Sequence, residues 1–520
     1  MAPTTVALII GTLIAAACTL DAARWNRRAP PTLHRFFLLD GKLQPKGFIL
    51  TISAANLSLG NFIIFIAIWG YNFGATGLAV FLVNLLLNVV GFLLYLKVFR
   101  TYIEDRANSG TIHEYISTSY CRRGQERLCL IARLFASIVT VSGLALAILF
   151  ELSLAVSLLQ PRGILDSLYI FAGLAALIGL FTANGGFRTL FVSDGFNACL
   201  LGIGAVGLVI LMWHYSHATG LAPYAEGVSF DGLRRIGLPA VISICVIGFG
   251  WMLVAMDQWQ RACASRSYNT TWLGTSRYLI VVAAAAAVFA TWGAFAANVL
   301  PTALPDATLS GGANPLADIT LLAQSGSWGS VLALAAITGL VFAAVATTNT
   351  FLNVLSHSLT SDVLVGILAR RGLHSFSPDT DRFLVSVARV LIVSVVALLI
   401  VLFAVFSNAG LMRDPLSFFF IAYSLQFALM GPMIVSAVPK GYRPGGWSVN
   451  ASLVVGFLAA IFVGFGSWAH MQRQGADILG LPPVDWLTLA PVVTVFVGLL
   501  PLIIGGLMGH VWRKRTAARN

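Results

Sequence analysis

The chain has 520 residues, 58% of them hydrophobic and only 10% charged, with a mean hydropathy of +0.86. A soluble domain carries roughly 25% charged residues, so this composition excludes one and indicates an all-α polytopic membrane protein. The net charge of +12 raises nucleic acid as a partner, and the placement of the basic residues along the chain decides that question.

The first apolar run, 4–23, has no basic residue before it and Arg24, Arg27 and Arg28 after it. A cleavable signal peptide carries its positive charge ahead of the apolar core, so this run reads as a retained helix with its N-terminus outside. Further runs of spanning length follow at 46–70, 77–98, 128–160, 164–183, 190–214, 238–256, 275–299, 327–359, 383–406, 415–438, 448–470 and 487–511, which makes about thirteen helices. With the N-terminus outside, all but five of the 32 Lys and Arg fall on the inner side; the exceptions are Arg162, Arg234, Arg235, Arg413 and Arg473. This asymmetry places the C-terminus inside. The basic charge is thus a topology signal, with no nucleic acid implied, and a multi-pass protein of the plasma (inner) membrane is expected. Cys18, Cys121, Cys129, Cys199, Cys245 and Cys263 contain no C-x-x-C pair and read as packed or cytosolic thiols, without a disulfide framework or metal site.

Two connections are long. The outer segment 300–326 has no Lys or Arg and carries Asp306 and Asp318; it reads as a short lid or as a plain connector. The inner segment 100–127 contains an amphipathic stretch, 111–120, expected on the membrane surface and without chemistry. Neither H-E-x-x-H, a Walker P-loop nor a G-x-G-x-x-G after a strand is present. Transport is therefore the default class and no enzyme is expected; sensing and an unrecognised intramembrane enzyme stand behind it.

Polar residues inside the apolar runs carry the functional reading. The second run contains Ile52-Ser-Ala-Ala-Asn-Leu-Ser-Leu-Gly-Asn61. A helix broken at membrane depth exposes carbonyls to ions and half-helix ends to solute. The carbonyls of Ala54 and Leu57 are thus candidate ion ligands, and the amides of Asn56 and Asn61 candidate solute contacts; helix packing through small and amide residues is the competing reading. Glu151 lies deep in the fourth run and Asp194 enters the sixth after Asn184-Gly-Gly-Phe-Arg188. An intramembrane carboxyl is a functional candidate, and a cation or Arg188 is the expected company of Asp194. Gly248-Phe-Gly-Trp251 in the seventh run marks a second break, and Asp257 with Arg261 a helix-end salt bridge. In the ninth run Ala344, Thr347 and Thr348 share a helical face. Their oxygens suit an alkali cation stripped of water, or simply hydrogen bonds within and between helices.

In chain order, Ala-Ala-Asn-Leu-Ser58, Gly-Gly-Phe-Arg188 with Ser-Asp194, Asp-Gln258 with Gln-Arg261, and Ala344-x-x-Thr-Thr348 with Leu-Asn353 and Thr-Ser-Asp362 resemble the sodium:solute symporter family (solute carrier 5-like). The Asp257–Arg261 segment is shorter than the family's usual spacing. The resemblance implies a five-plus-five inverted repeat of the leucine-transporter type, N-terminus out and C-terminus in. Residues 1–45 would hold an extra helix and a cytosolic loop, 46–440 the transporter core and 441–520 two peripheral helices and a basic tail. Within the core, repeat one would span 46–214 and repeat two 238–440.

The resemblance further implies a sodium site from the carbonyls of Ala54, Leu57 and Ala344 and the hydroxyls of Thr347 and Thr348. It extends to a second sodium at Asp194 and Thr350, although Phe351 offers no oxygen, and Glu151, as an intramembrane carboxyl, is a further candidate for that ion or for coupling. Asn56 and Asn61 match solute-pocket positions, with Trp69, Tyr71 and Trp251 nearby in the apolar runs. These side chains suit a sugar, an amino acid, a carboxylate or a vitamin equally. The expected function is sodium-coupled import of a small organic solute by alternating access. A transporter-like solute sensor, or proton coupling through Glu151 or Asp194, are the alternatives.

Overall fold

The computed structural model of the chain describes residues 3–28, 31–104, 110–121, 124–159, 163–265, 267–304, 314–324, 329–370, 377–408, 415–438, 444–473, 477 and 481–517. Among these, eleven helices are long and apolar enough to cross a membrane, or twelve if one bent pair is a single span.

Helix α1 (Pro3–Arg28) is followed by α2 (Pro45–Asn56) and α3 (Ile64–Glu104). α2 stops because Leu57 (φ −79, ψ 53) and Ser58 (φ −73, ψ 147) leave the helical region. The Ser58 hydroxyl then accepts from the Asn61 N–H and starts the next half-helix. α3, at about 1.5 Å per residue, would be about twice as long as the hydrocarbon core is thick. Gly74 (φ 53, ψ −133) turns it back on itself, and Gly77 consequently sits against the Trp69 carbonyl. Only glycine adopts that backbone without strain, so the long apolar helix is kinked between the 46–70 and 77–98 runs.

α4 (Ile112–Tyr120) is a short helix, and α5 (Glu126–Leu158), α6 (Ile164–Gly185) and α7 (Phe187–Thr219) are long and apolar enough to cross a membrane. α8 (Leu238–Val254) and α9 (Met256–Ser265) form a second interrupted helix, followed by α10 (Tyr268–Asn298), α11 (Gly329–His357) and α12 (Pro378–Asn408). The bent pair α13 (Pro415–Phe427) and α14 (Met430–Ser436) turns by 42°, and α15 (Gly446–Ala460) and α16 (Pro483–Ala517) close the chain. α3 lies along α10 and α8, α11 along α7 and α5, and α12 along α6, while α15 and α16 pack on each other and on α13, α5 and α8.

Small residues set the tightest crossing. A Cβ on Gly293 of α10 would collide with the Ala67 carbonyl oxygen, and one on Gly70 with that of Ala290, so α3 and α10 touch backbone to backbone. Gly293→Ala is expected to lower stability by about 1–3 kcal/mol, read as a drop in the thermal midpoint of the purified protein. An unchanged midpoint would mean that the two backbones are not in contact.

Four sequence expectations need correction. The second break falls at Ala255 (φ −71, ψ 99), not at Gly248-Phe-Gly-Trp251. Those glycines stay helical and serve close packing, Gly248 against the Asn84 carbonyl and Gly250 against the Met430 sulfur. The 111–120 stretch does not lie on the membrane surface: Ile112, His113, Tyr115, Ile116 and Tyr120 are buried against α5, α14 and α15. The outer connection is not freely solvated over 314–324, where Leu316, Ile319 and Leu322 are buried and Trp292 donates to the Pro315 carbonyl at 3.0 Å. Asp306 lies outside the described residues. Lastly, Cys121 and Cys129 are joined as a disulfide and are not free thiols.

Candidate functional site

The break between α2 and α3 organises the site. Ending α2 at Asn56 frees its last carbonyls from the helical ladder and leaves the negative end of its dipole there. The half-helix that starts at Leu59 presents its positive end a few residues away. Glu151 of α5, fully buried, meets that end. Its Oε2 accepts from the Gly60 N–H at 2.9 Å, and its Oε1 from the Asn61 N–H at 3.0 Å and the Asn61 amide at 2.8 Å. Gly60 is needed for this approach, since a Cβ there would meet Phe150 and the Glu151 carboxylate at 3.1 Å or less. Glu151 is therefore the cap of the second half-helix.

On the other side of the break stands α11. The Thr347 hydroxyl lies 3.0 Å from the Ala55 carbonyl and 3.1 Å from that of Ala343. The contact of α11 with the break thus runs through Ala55, between Ala54 and Leu57. Ala344 and Thr348 are fully buried, and the Thr348 hydroxyl has no hydrogen-bond partner among the described residues. Ala54 and Leu57 are buried as well, and no hydrogen bond to either carbonyl is made by the described residues. Buried neutral carbonyl and hydroxyl oxygens are the kind of donor a hard monovalent cation takes.

Asn56, Asn61 and Trp251 line one small cavity, walled by Phe65, Phe419 and Tyr423. Much of the amide capacity there is already used. Asn56 donates to the Ile52 carbonyl at 2.8 Å and accepts from the Trp251 indole at 3.2 Å, while Asn61 donates to Glu151. Each amide keeps acceptor or donor capacity for a solute. The cavity holds about 70 Å³, room for a few waters. The Trp251 and Tyr423 rings, 5.0 Å between centroids, form part of its wall.

Trp69 is not part of this lining. It packs between Phe65 and Phe73 at 5.1 and 5.7 Å, because it sits two turns beyond Asn61 on the way to Gly74. Asn84 and Asn88 do line the cavity and are missing from the sequence reading. Their four-residue spacing on one face of an apolar run was the available signal.

The candidate second-ion residues make different contacts. Asp194 is fully buried, and neither carboxylate oxygen has a hydrogen-bond partner among the described residues. Arg188 is not its companion; it pairs with Asp21 of α1 at 2.6 and 3.0 Å, because six residues place it about 240° around the helix from Asp194. The Thr350 hydroxyl accepts from Arg261 at 3.1 Å, and Arg261 pairs with Asp257 at 2.8 Å, forming the expected helix-end salt bridge in a fully buried setting. The guanidinium thus uses the oxygen expected for a second sodium, and Phe351 turns its ring to the solute cavity.

A further polar centre lies just beyond the C-terminal end of α11 and is also absent from the sequence reading. The chain from Ser358 to Leu364 widens into a π-turn and points Asp362 inward. Its carboxylate lies 2.6 Å from Thr111 Oγ1, 2.6 Å from His113 Nδ1 and 2.8 Å from Arg133 Nε. His113 Nε2 is 2.7 Å from the Thr140 hydroxyl. The group ties α4 to α5 and α11, which gives the Thr-Ser-Asp362 motif a structural role.

No protein-family profile and no curated sequence matches the chain. Among solved structures, a Na+-coupled sialic acid symporter in its substrate-bound outward-open state superposes with a TM-score of 0.71 at 15% identity, over 97% of each chain. A nucleobase-cation-symport-1 family transporter in a closed conformation gives a TM-score of 0.45 at 14% identity, over 91% of this chain and 95% of that one. A manganese transporter of Eremococcus coleocola gives 0.45 at 15% identity, over 91% and 95%. The chain has the all-helical, leucine-transporter-like fold of the first of these.

Proposed function

We propose that this chain is a secondary active transporter of the sodium:solute symporter type, importing a small organic solute with sodium by alternating access. The observation that carries the proposal is the contact between Thr347 and the freed Ala55 carbonyl, beside the buried, unpartnered hydroxyl of Thr348. Its fold, matched over 97% of the chain by a Na+-coupled symporter, supports the same reading.

In this mechanism sodium sits among the carbonyls of Ala54, Leu57 and Ala344 and the hydroxyls of Thr347 and Thr348. It bridges the broken helix to α11. A ligand moves a conformational equilibrium only by its differential affinity for the two states, so the bridge must be tighter when the site opens outward. Solute then binds between Asn56, Asn61 and Trp251, and the helices around the break rock to release both inside. The basic asymmetry of the sequence sets the direction, with the C-terminus inside. Residues 46–214 and 238–440 form the two repeats, each opening on an interrupted helix.

Purified protein screened by thermal shift against solute classes, in sodium and in potassium, is expected to give a sodium-dependent hit that vesicles then accumulate. Thr348→Ala should raise the sodium concentration required for uptake about tenfold. Unchanged sodium dependence would refute the site; binding without accumulation would favour a sensor. One observation favours proton coupling instead, the buried and unpartnered Asp194 carboxylate. Uptake driven by a pH gradient in sodium-free buffer, lost in Asp194→Asn, would decide for it.

A further inference from the structure

We infer that the ends of α1, α2 and α7 form a binding site for the headgroup of an anionic phospholipid. A cavity of about 350 Å³ opens there, lined by Trp25, Lys42, Lys46, Gly47, Arg188 and Phe191. Trp25 lies in the last turn of α1, Lys42 and Lys46 flank the start of α2, and Arg188 stands in the first turn of α7. Three apolar helices therefore end at one level. That is the membrane–water interface, where tryptophan is favoured.

The charges around the cavity are not balanced. Arg188 is neutralised by Asp21 at 2.6 Å, and the nearby Arg35 by Asp40 at 3.7 Å. Lys42 and Lys46 are exposed, and no carboxylate of the described residues comes within 4.0 Å of either. Both lysines line the same cavity, Lys42 from the turn before α2 and Lys46 from its first turn, so both ammonium groups face one bound phosphate.

The turn that carries Lys42 is held in place. Leu39 (φ 49) and Asp40 (φ 55) adopt the left-handed conformation that side-chain-bearing residues avoid. Lys42 N–H donates to Leu39 at 3.2 Å, and Leu43 N–H to Ala264 at 3.0 Å. A strained turn locked at both ends presents a preformed site.

The floor distinguishes a lipid from a free anion. Trp25 and Phe191 are half-buried, and the Arg188 guanidinium lies 5.1 Å above the Trp25 ring and 5.6 Å above that of Phe191. Leu39 and Leu43 add apolar lining beside the two rings. A glycerophosphate fits the basic rim with its glycerol and acyl carbons against the Leu39, Leu43 and Phe191 side chains of the lining, which inorganic phosphate has no group to meet. Basic pockets at helix ends hold anionic headgroups in this way.

The test is native mass spectrometry of the full-length protein in detergent, titrated with phosphatidylglycerol, phosphatidylcholine or inorganic phosphate. Phosphatidylglycerol should bind in preference to phosphatidylcholine. The K42Q/K46Q variant should bind it about thirty-fold more weakly, each basic side chain near an anionic headgroup contributing about fivefold. Both lysines are exposed, so the variant should fold, checked by an unchanged thermal midpoint without lipid. Equal binding of the two lipids, equal phosphatidylglycerol affinity in the variant, or displacement of phosphatidylglycerol by millimolar inorganic phosphate would each overturn the inference.

Discussion

Asp362→Ala is expected to destabilise the protein by about 3–5 kcal/mol, the range for removing one partner of a buried ion pair. The Asp362 side chain is fully buried, and it meets three groups, Thr111, His113 and Arg133, at 2.6–2.8 Å. Alanine would strand the Arg133 guanidinium, which is only 15% exposed, and leave His113 with a partner only on its Thr140 side and at Ser358. α4 would lose its main polar tie to α11, so its ends should become more accessible to protease. Asp362→Asn keeps the shape and one acceptor and should lose less. Thermal unfolding of the purified variants measures both; an alanine variant melting like the parent protein would mean that these groups are solvated.

Glu151→Ala should come next, at about 3 kcal/mol or more, since a buried donor left without a partner costs about 1–3 kcal/mol. Two donors would be stranded, the Gly60 N–H and the Asn61 amide, while the Asn61 N–H keeps the Ser58 hydroxyl at 3.1 Å. The positive end of the half-helix beyond Ser58 would also lose its counter-charge. Glu151→Gln retains one acceptor but turns an NH₂ toward other donors, so its loss should be intermediate. Both variants should bind sodium more weakly, because the carbonyls of the break are positioned by the same segment. A Glu151→Gln protein with parent-like stability and sodium affinity would remove the capping role and leave Glu151 as a titrating group.

How far these sites were legible depends on how local their signals are. The broken α2–α3 segment was readable because Ser, Asn and Gly interrupt an apolar run within ten residues, and the paired threonines of α11 stood out for the same reason. The break at Ala255 carries no glycine or proline of its own, while the glycines that seemed to mark it serve helix contacts. The partner of Arg188 comes from α1, 167 residues away, and that of His113 from α11, 249 residues away. Pairings of that separation are set by helix packing and leave no periodicity in the chain. Trp69 was assigned to the solute site by proximity in sequence, whereas the direction of its helix places it among Phe65 and Phe73.

Equilibrium binding of radiolabelled sodium to the purified protein tests the proposed coupling site most directly. One sodium ion per chain should bind, displaced by unlabelled sodium but not by potassium, and Thr348→Ala should weaken it about tenfold while melting like the parent protein. Absence of sodium-specific binding, or the same affinity in Thr348→Ala, would contradict a cation bridging the broken helix to α11.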